Sequence, residues 1–179
     1  MRIVGSSGAD TLWGTSEADL IEGLQGNDIL EGAAGDDQLE GGEGDDFLKG
    51  GLGTNRLYGG AGSDSYLTES ETDLVHEFAS GGHDTVYTLG SHALVGGSHV
   101  EVLTVYDRTT TNALRLSGNE LANVIQGNSG VNFLIGGGGG DTLYGHGGDD
   151  AYLVTDERDS VHEFASGGHD TVYTLGSHA

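Results

Sequence analysis

The 179-residue sequence contains no cysteine and no proline. Without cysteine there are no disulfides and no thiolate metal sites. Without proline the abundant glycine cannot belong to a collagen-like helix. Basic residues are almost missing: 6 Lys and Arg stand against 29 Asp and Glu, a net charge of −23. Nucleic acid is therefore a partner of the wrong sign, and anionic membrane surfaces repel the chain. No apolar run approaches the roughly 20 residues of a membrane-spanning helix. The N-terminal MRIVGSSGAD has no apolar segment of the signal-peptide kind. Hydrophobic residues make up only 35% of the chain, which argues against one wide core.

Glycine is what the chain has instead: 35 residues, nearly three times the usual share of about 7%. That weakens any helical-bundle reading. A chain this acidic repels itself and tends to disorder unless something neutralises it. Metal cations are the natural candidates.

The glycines are phased. From Gly5, seven nonapeptides follow without insertion: GSSGADTLW, GTSEADLIE, GLQGNDILE, GAAGDDQLE, GGEGDDFLK, GGLGTNRLY and GGAGSDSYL. Four more begin at Gly118: GNELANVIQ, GNSGVNFLI, GGGGGDTLY and GHGGDDAYL. Position one is Gly in all eleven, and position four is Gly except at Glu17 and Leu121. Position six is Asp in eight and Asn in three, and position eight is always large and apolar. The glycines permit positive φ and tight curvature, so the first six residues read as a turn. The last three are too few for an independent strand and need neighbouring coils to pair with, as in a solenoid. One apolar residue per nonapeptide then points into a thin core.

With two nonapeptides per coil, residues eighteen apart stack about 4.8 Å from one another. Stacked carboxylates repel by roughly 1 kcal/mol in water and more at lower dielectric. A calcium ion reverses this, because Ca²⁺–oxygen distances of about 2.3–2.6 Å span the coil spacing. Backbone carbonyls in the turns can supply the further hard oxygen ligands.

The pattern G-G-x-G-x-D-x-(apolar)-x, fully matched by GGEGDDFLK and GGAGSDSYL, resembles the RTX, or hemolysin-type, calcium-binding repeat of secreted bacterial proteins. The resemblance implies an all-β, right-handed parallel β-roll with calcium held between turns of successive coils. Carried over position by position, it assigns as ligands Asp10, Asp19, Asp28, Asp37, Asp46, Asp64, Asp141 and Asp150. Asn55, Asn123 and Asn132 stand at the same position without charge, and weaker or empty sites are expected there. The stacked pairs are 10/28, 28/46, 46/64, 19/37, 37/55, 123/141 and 132/150, so up to about seven ions are expected.

Four segments result: a first roll over 1–67, a β-rich spacer over 68–117, a second roll over 118–153, and a truncated spacer copy over 154–179. The stretch VHEFASGGHDTVYTLGSHA occurs at 75–93 and again, letter for letter, at 161–179. Its three histidines, glutamate and aspartate look chemical, but His76 and Glu77 are adjacent and point to opposite faces of a strand. A zinc site on His76 and His83, and on His162 and His169 in the second copy, is the competing reading; solvent-exposed histidines are the expectation. The stretch belongs to a pattern D-x-V-x-E-x-x-x-x-G-x-D-T-V that resembles a known accompaniment of RTX arrays. It reads as larger, calcium-poor coils continuing the solenoid.

The expected function is a calcium-dependent folding cassette of a larger secreted or cell-surface bacterial protein, exported by type I secretion as the resemblance implies. The alternative is an accessory domain, stabilising or polysaccharide-binding, of a secreted protease, lipase or alginate-modifying enzyme; a spacer in an adhesin is a third. Neither G-x-S-x-G nor H-E-x-x-H occurs, so no intrinsic enzyme activity is expected. The isolated chain is expected to be a monomeric fragment. Calcium is its expected partner, and a linked catalytic or adhesive domain or a polysaccharide could be a further one.

Overall fold

The computed structural model describes residues 1–164 and 167–175. The described chain is a parallel β-solenoid of about ten turns, with no helix. One wall begins as a five-stranded sheet of β1 (Arg2–Val4), β3 (Leu20–Gln25), β5 (Gln38–Glu43), β7 (Arg56–Ala61) and β9 (Leu74–His76). It resumes as a second five-stranded sheet of β11 (His92–Ala93), β13 (Leu114–Ser117), β15 (Asn132–Ile135), β17 (Ala151–Val154) and β19 (Thr171–Thr174). The facing wall is one nine-stranded sheet: β2 (Thr11–Trp13), β4 (Ile29–Glu31), β6 (Phe47–Lys49), β8 (Ser65–Thr68), β10 (Thr85–Thr88), β12 (Val102–Val105), β14 (Val124–Gln126), β16 (Thr142–Tyr144) and β18 (Ser160–His162). Every pairing is parallel, so alternate nonapeptides build alternate walls.

The register follows the repeat. Leu12 pairs with Leu30, Leu30 with Leu48, and Leu48 with Tyr66, each eighteen residues on. The large sheet crosses the spacer unbroken, because Tyr66 pairs with Val86, Val86 with Leu103, and Leu103 with Ile125. Those steps are 20, 17 and 22 residues, so the spacer coils vary in length and one is shorter than a pair of nonapeptides.

The core is one continuous apolar cluster between the walls, with a stacked row of side chains from each. Ten of the eleven position-eight residues, Ile21 through Tyr66 and Ile125 through Tyr152, are fully buried. Leu12, in the first coil, is only partly buried. Burying each of these stabilises the fold by about 1.5–3 kcal/mol, spread evenly along the axis.

The three glycines of a repeat are needed for different reasons. Positions two and four hold the left-handed backbone, as at Gly42 (φ 120°) and Gly44 (φ 123°). Position one does not: it lacks room. A Cβ at Gly41 would meet Asp46 Oδ2 and lie 2.7 Å from the Gly59 carbonyl oxygen. Leu24, Ala33 and His146 occupy position two with φ of 87°, 76° and 76°. They carry strain that glycine would not.

Candidate metal centre

The position-six side chains point inward and form columns along the solenoid axis. One oxygen of each acceptor side chain receives the backbone N–H of the position-six residue one coil earlier. Asp10 N donates to Asp28 Oδ1 at 2.7 Å, Asp28 N to Asp46 Oδ1 at 2.7 Å, and Asp46 N to Asp64 Oδ1 at 2.8 Å. The second column runs from Asp19 N to Asp37 Oδ1 at 2.8 Å and from Asp37 N to Asn55 Oδ1 at 3.0 Å. In the second nonapeptide run, Asn123 N donates to Asp141 Oδ1 and Asn132 N to Asp150 Oδ1. All seven stacked pairs are joined this way.

The other carboxylate oxygen has a different fate. Oδ2 of Asp28, Asp37, Asp46, Asp64, Asp141 and Asp150 is buried and has no hydrogen-bond partner among the described residues. An unpaired buried oxygen of this kind costs several kcal/mol, more if it is charged. Each lies beside a position-one glycine, and for Asp28, Asp37 and Asp46 the carbonyl of the glycine one coil further faces the same space. For Asp46 the pair is Gly41 and Gly59; for Asp37 it is Gly32, with the Gly50 carbonyl. The missing Cβ thus leaves a small cradle of hard oxygens, and no described basic side chain pairs with these carboxylates there. A divalent cation with oxygen preference fits this donor set, and Ca²⁺ accepts both carboxylate and carbonyl ligands.

Electrostatics agree. Burial, reinforced by neighbouring carboxylates, pushes the Asp46 carboxyl up to about 7. The same causes raise Asp64, Asp141 and Asp150 to about 6, and burial raises Asp28 and Asp37. Without a counter-charge these groups resist ionisation.

Two of the expected ligands are arranged otherwise. Asp10 Oδ2 accepts from Ser6 N and Ser6 Oγ, at 2.5 and 2.9 Å, and Asp19 Oδ2 from Thr15 N and Thr15 Oγ1, at 2.6 and 2.8 Å. Asp19 also pairs with the N-terminal ammonium at 2.6 Å, which lowers its pKa. A hydroxyl residue at position two therefore takes the place that glycine, alanine or leucine leaves open in the other first-run coils.

The three asparagines present nitrogen where the aspartates present a free oxygen. Asn55 Nδ2 donates to Gly51 O, Asn123 Nδ2 to Val100 O at 2.7 Å, and Asn132 Nδ2 to Gly130 O at 2.7 Å. The amide oxygen is committed to a backbone N–H, so the donor faces inward.

The columns also take in acids absent from the expected set. Asn55 N donates to Asp73 Oδ1, Asp64 N to Asp84 Oδ1, Asp84 N to Glu101 Oε2, Asp141 N to Asp159 Oδ1 and Asp150 N to Asp170 Oδ1. Asp73 and Asp159 end their columns, since their Oδ2 atoms accept turn N–H groups at Glu69, Ser70, Thr155 and Asp156. The signal for these two was in the sequence: each lies eighteen residues beyond a column member. Asp84 and Asp170 lie twenty beyond, which hid them.

The histidines need a correction. His92 is buried rather than solvent-exposed, because it alternates inward on β11, and burial lowers its pKa to about 4. His76 stacks on Tyr58 with centroids 5.0 Å apart, on the outer face, while Glu77 turns inward and is buried. The two do not share a ligand set. His178 lies outside the described residues.

A parallel β-solenoid whose axis carries columns of half-free carboxylates is a cation-loading repeat protein. The profile of the RTX calcium-binding nonapeptide repeat matches residues 4–39, 31–66 and 117–152. Those stretches cover more than half of the sequence, and the chain belongs to this family, a calcium-binding repeat module. No curated protein shows significant similarity to it.

Proposed function

We propose that the chain is a calcium-switched folding cassette of a larger secreted bacterial protein. One observation supports this above the others. Each internal Asp keeps one oxygen in the backbone ladder and leaves the other buried and without a hydrogen-bond partner among the described residues, facing a glycine carbonyl at Asp28, Asp37 and Asp46. Asp28, Asp37, Asp46, Asp64, Asp141 and Asp150 hold the ions on this reading, with the three Asn positions and the capped Asp10 and Asp19 contributing less or nothing. Calcium supplies positive charge between coils whose carboxylates otherwise oppose stacking.

At −23 the ion-free chain is held open by its own charge. A low-calcium cytosol then keeps it extended for export, and extracellular calcium, at about the 10⁻⁴–10⁻³ M affinity of external modules, folds it. Each site at ten times its Kd adds roughly 1.4 kcal/mol. The sites within a column share one ladder, so they act together.

Far-UV circular dichroism during a calcium titration of EDTA-stripped protein tests this, with magnesium as control. The expected result is a cooperative coil-to-β transition in calcium alone. A fully β spectrum in EDTA would overturn the switch.

A further inference from the structure

Position eight is Leu or Ile in nine nonapeptides and Tyr in two, Tyr66 and Tyr152. Each Tyr belongs to the last nonapeptide before a spacer. Each is followed eleven residues later by a glutamate, Glu77 or Glu163, to which its hydroxyl donates a hydrogen bond. The flanking sequences differ (GGAGSDSYLTESETD against GHGGDDAYLVTDERD), yet the Tyr–Glu pair is kept.

Glu77 stands eighteen residues after Gly59, in the column Gly5, Gly23, Gly41, Gly59. In the earlier coils this place supplies a backbone carbonyl. Here a carboxylate supplies the oxygen instead, and Gly59 N donates to Glu77 Oε1 at 3.2 Å. Oxygens of Asp64, Glu77 and Asp84 all lie within 4.8 Å of one another. The three residues are 1%, 4% and 0% exposed. Oδ2 of both Asp64 and Asp84 is buried without a hydrogen-bond partner among the described residues. Beside them Gly81 leaves another cradle: a Cβ there would lie 2.7 Å from Glu77 Oε2 and 3.1 Å from both Asp84 Oδ2 and the Phe78 carbonyl oxygen. None of the ion pairs among the described residues involves these acids. Asp150, Glu163 and Asp170 repeat the cluster in a more open form.

We propose that Asp64, Glu77 and Asp84, with the Phe78 carbonyl, form a three-carboxylate calcium site at the junction of roll and spacer, where the Asp64 column meets Glu77, repeated at Asp150, Glu163 and Asp170. It rests on the calcium-module reading and adds to it. A nonapeptide site draws on the position-six carboxylates and glycine carbonyls, and the junction adds a third carboxylate within reach of one ion. Ligand charge sets calcium affinity in sites of this kind, so the junction fills first and fixes the end of each roll.

Terbium(III) chloride reads this site directly, because a lanthanide bound beside Tyr66 or Tyr152 is sensitised by tyrosine excitation. In the full chain, the first equivalents of terbium are expected to luminesce and to be displaced by calcium. Y66F/Y152F should remove most of that early emission, and Y106F, at an exposed tyrosine, should leave it. Equilibrium dialysis should show E77Q/E163Q binding two fewer calcium ions, or binding its tightest class roughly tenfold more weakly, about 1.4 kcal/mol. E71Q, at an exposed acid outside the columns, should spare the tightest class. Unchanged calcium number and affinity in E77Q/E163Q, or full early emission in Y66F/Y152F, would overturn the junction site and leave the cassette standing. A parent chain that binds no calcium would overturn both.

Discussion

Asp46→Asn separates the two oxygens of one carboxylate. The amide oxygen can still accept the Asp28 N–H, as Asn55 Oδ1 accepts that of Asp37. The amide nitrogen then turns into the cradle, as Asn55 Nδ2 turns toward Gly51 O. Without calcium this relieves the fold. Burial, with repulsion from Asp64, Asp28 and Asp45, raises the Asp46 carboxyl from 3.8 to about 7. A carboxyl raised on folding costs stability as pH climbs above its unfolded value, and the cost is complete once pH exceeds its folded value. At pH 8 the ceiling of that cost is roughly 4 kcal/mol, and partial hydration of the column reduces it to about 1–2 kcal/mol. With calcium the sign reverses: a charged ligand is lost, worth roughly 1.4 kcal/mol for a site at ten times its Kd. Circular dichroism reads both arms. In EDTA at pH 8, where trimethylamine oxide drives folding, the variant should fold at lower osmolyte than the parent. In urea with saturating calcium it should unfold earlier. A variant weaker than the parent in both conditions would refute the division of labour, since Oδ2 would then be stabilising in its own right.

Acidification should act on the ion-free chain in the opposite sense to ordinary acid denaturation. Asp46, Asp64, Glu77, Asp141 and Asp150 all have folded values of about 6 to 8, above the ordinary carboxylate range. Their contribution is complete at low pH and is lost as pH rises through 6 to 8. The β signal in EDTA should therefore grow from pH 8 toward pH 4, with buried His92 opposing it weakly below about 6.5. The calcium midpoint should rise over the same descent, because protons compete for the ligands; a midpoint flat with pH would contradict the assignment. Asn55→Asp should add a free oxygen and one bound calcium ion by dialysis. Leu24→Gly relieves a φ of 87° at a half-exposed side chain. It should stabilise the calcium-loaded form by about 0.5–1 kcal/mol in urea unfolding.

The solenoid was legible because two independent periodicities agreed. Gly at position one and an apolar residue at position eight recur every nine residues, and only stacked coils use both. The spacer was less legible, since its coils step by 20, 17 and 22 residues and a fixed phase cannot follow them. The strands themselves, DTVYTL around β10 and VEVLTVY around β12, still showed as β-branched runs. His92 was misplaced because a two-residue strand gives no alternation to read.

The site was legible as a column of residue types but not as chemistry. Sequence spacing places Asp10 and Asp28 in the same column with equal standing. Yet Ser6 closes the free oxygen of Asp10, while Gly23 and Leu24 leave that of Asp28 open. The deciding residue is at position two, four places before the ligand, and its effect depends on a turn geometry that spacing does not encode. The same holds for Asn55: its composition predicts a weaker ligand, but the ladder bond to Asp37 N forces its nitrogen inward. The backbone ladder therefore chooses which atom of each side chain faces the cradle. Ion binding and coil stacking are two ends of one carboxylate, so a substitution that spares either end separates folding from calcium.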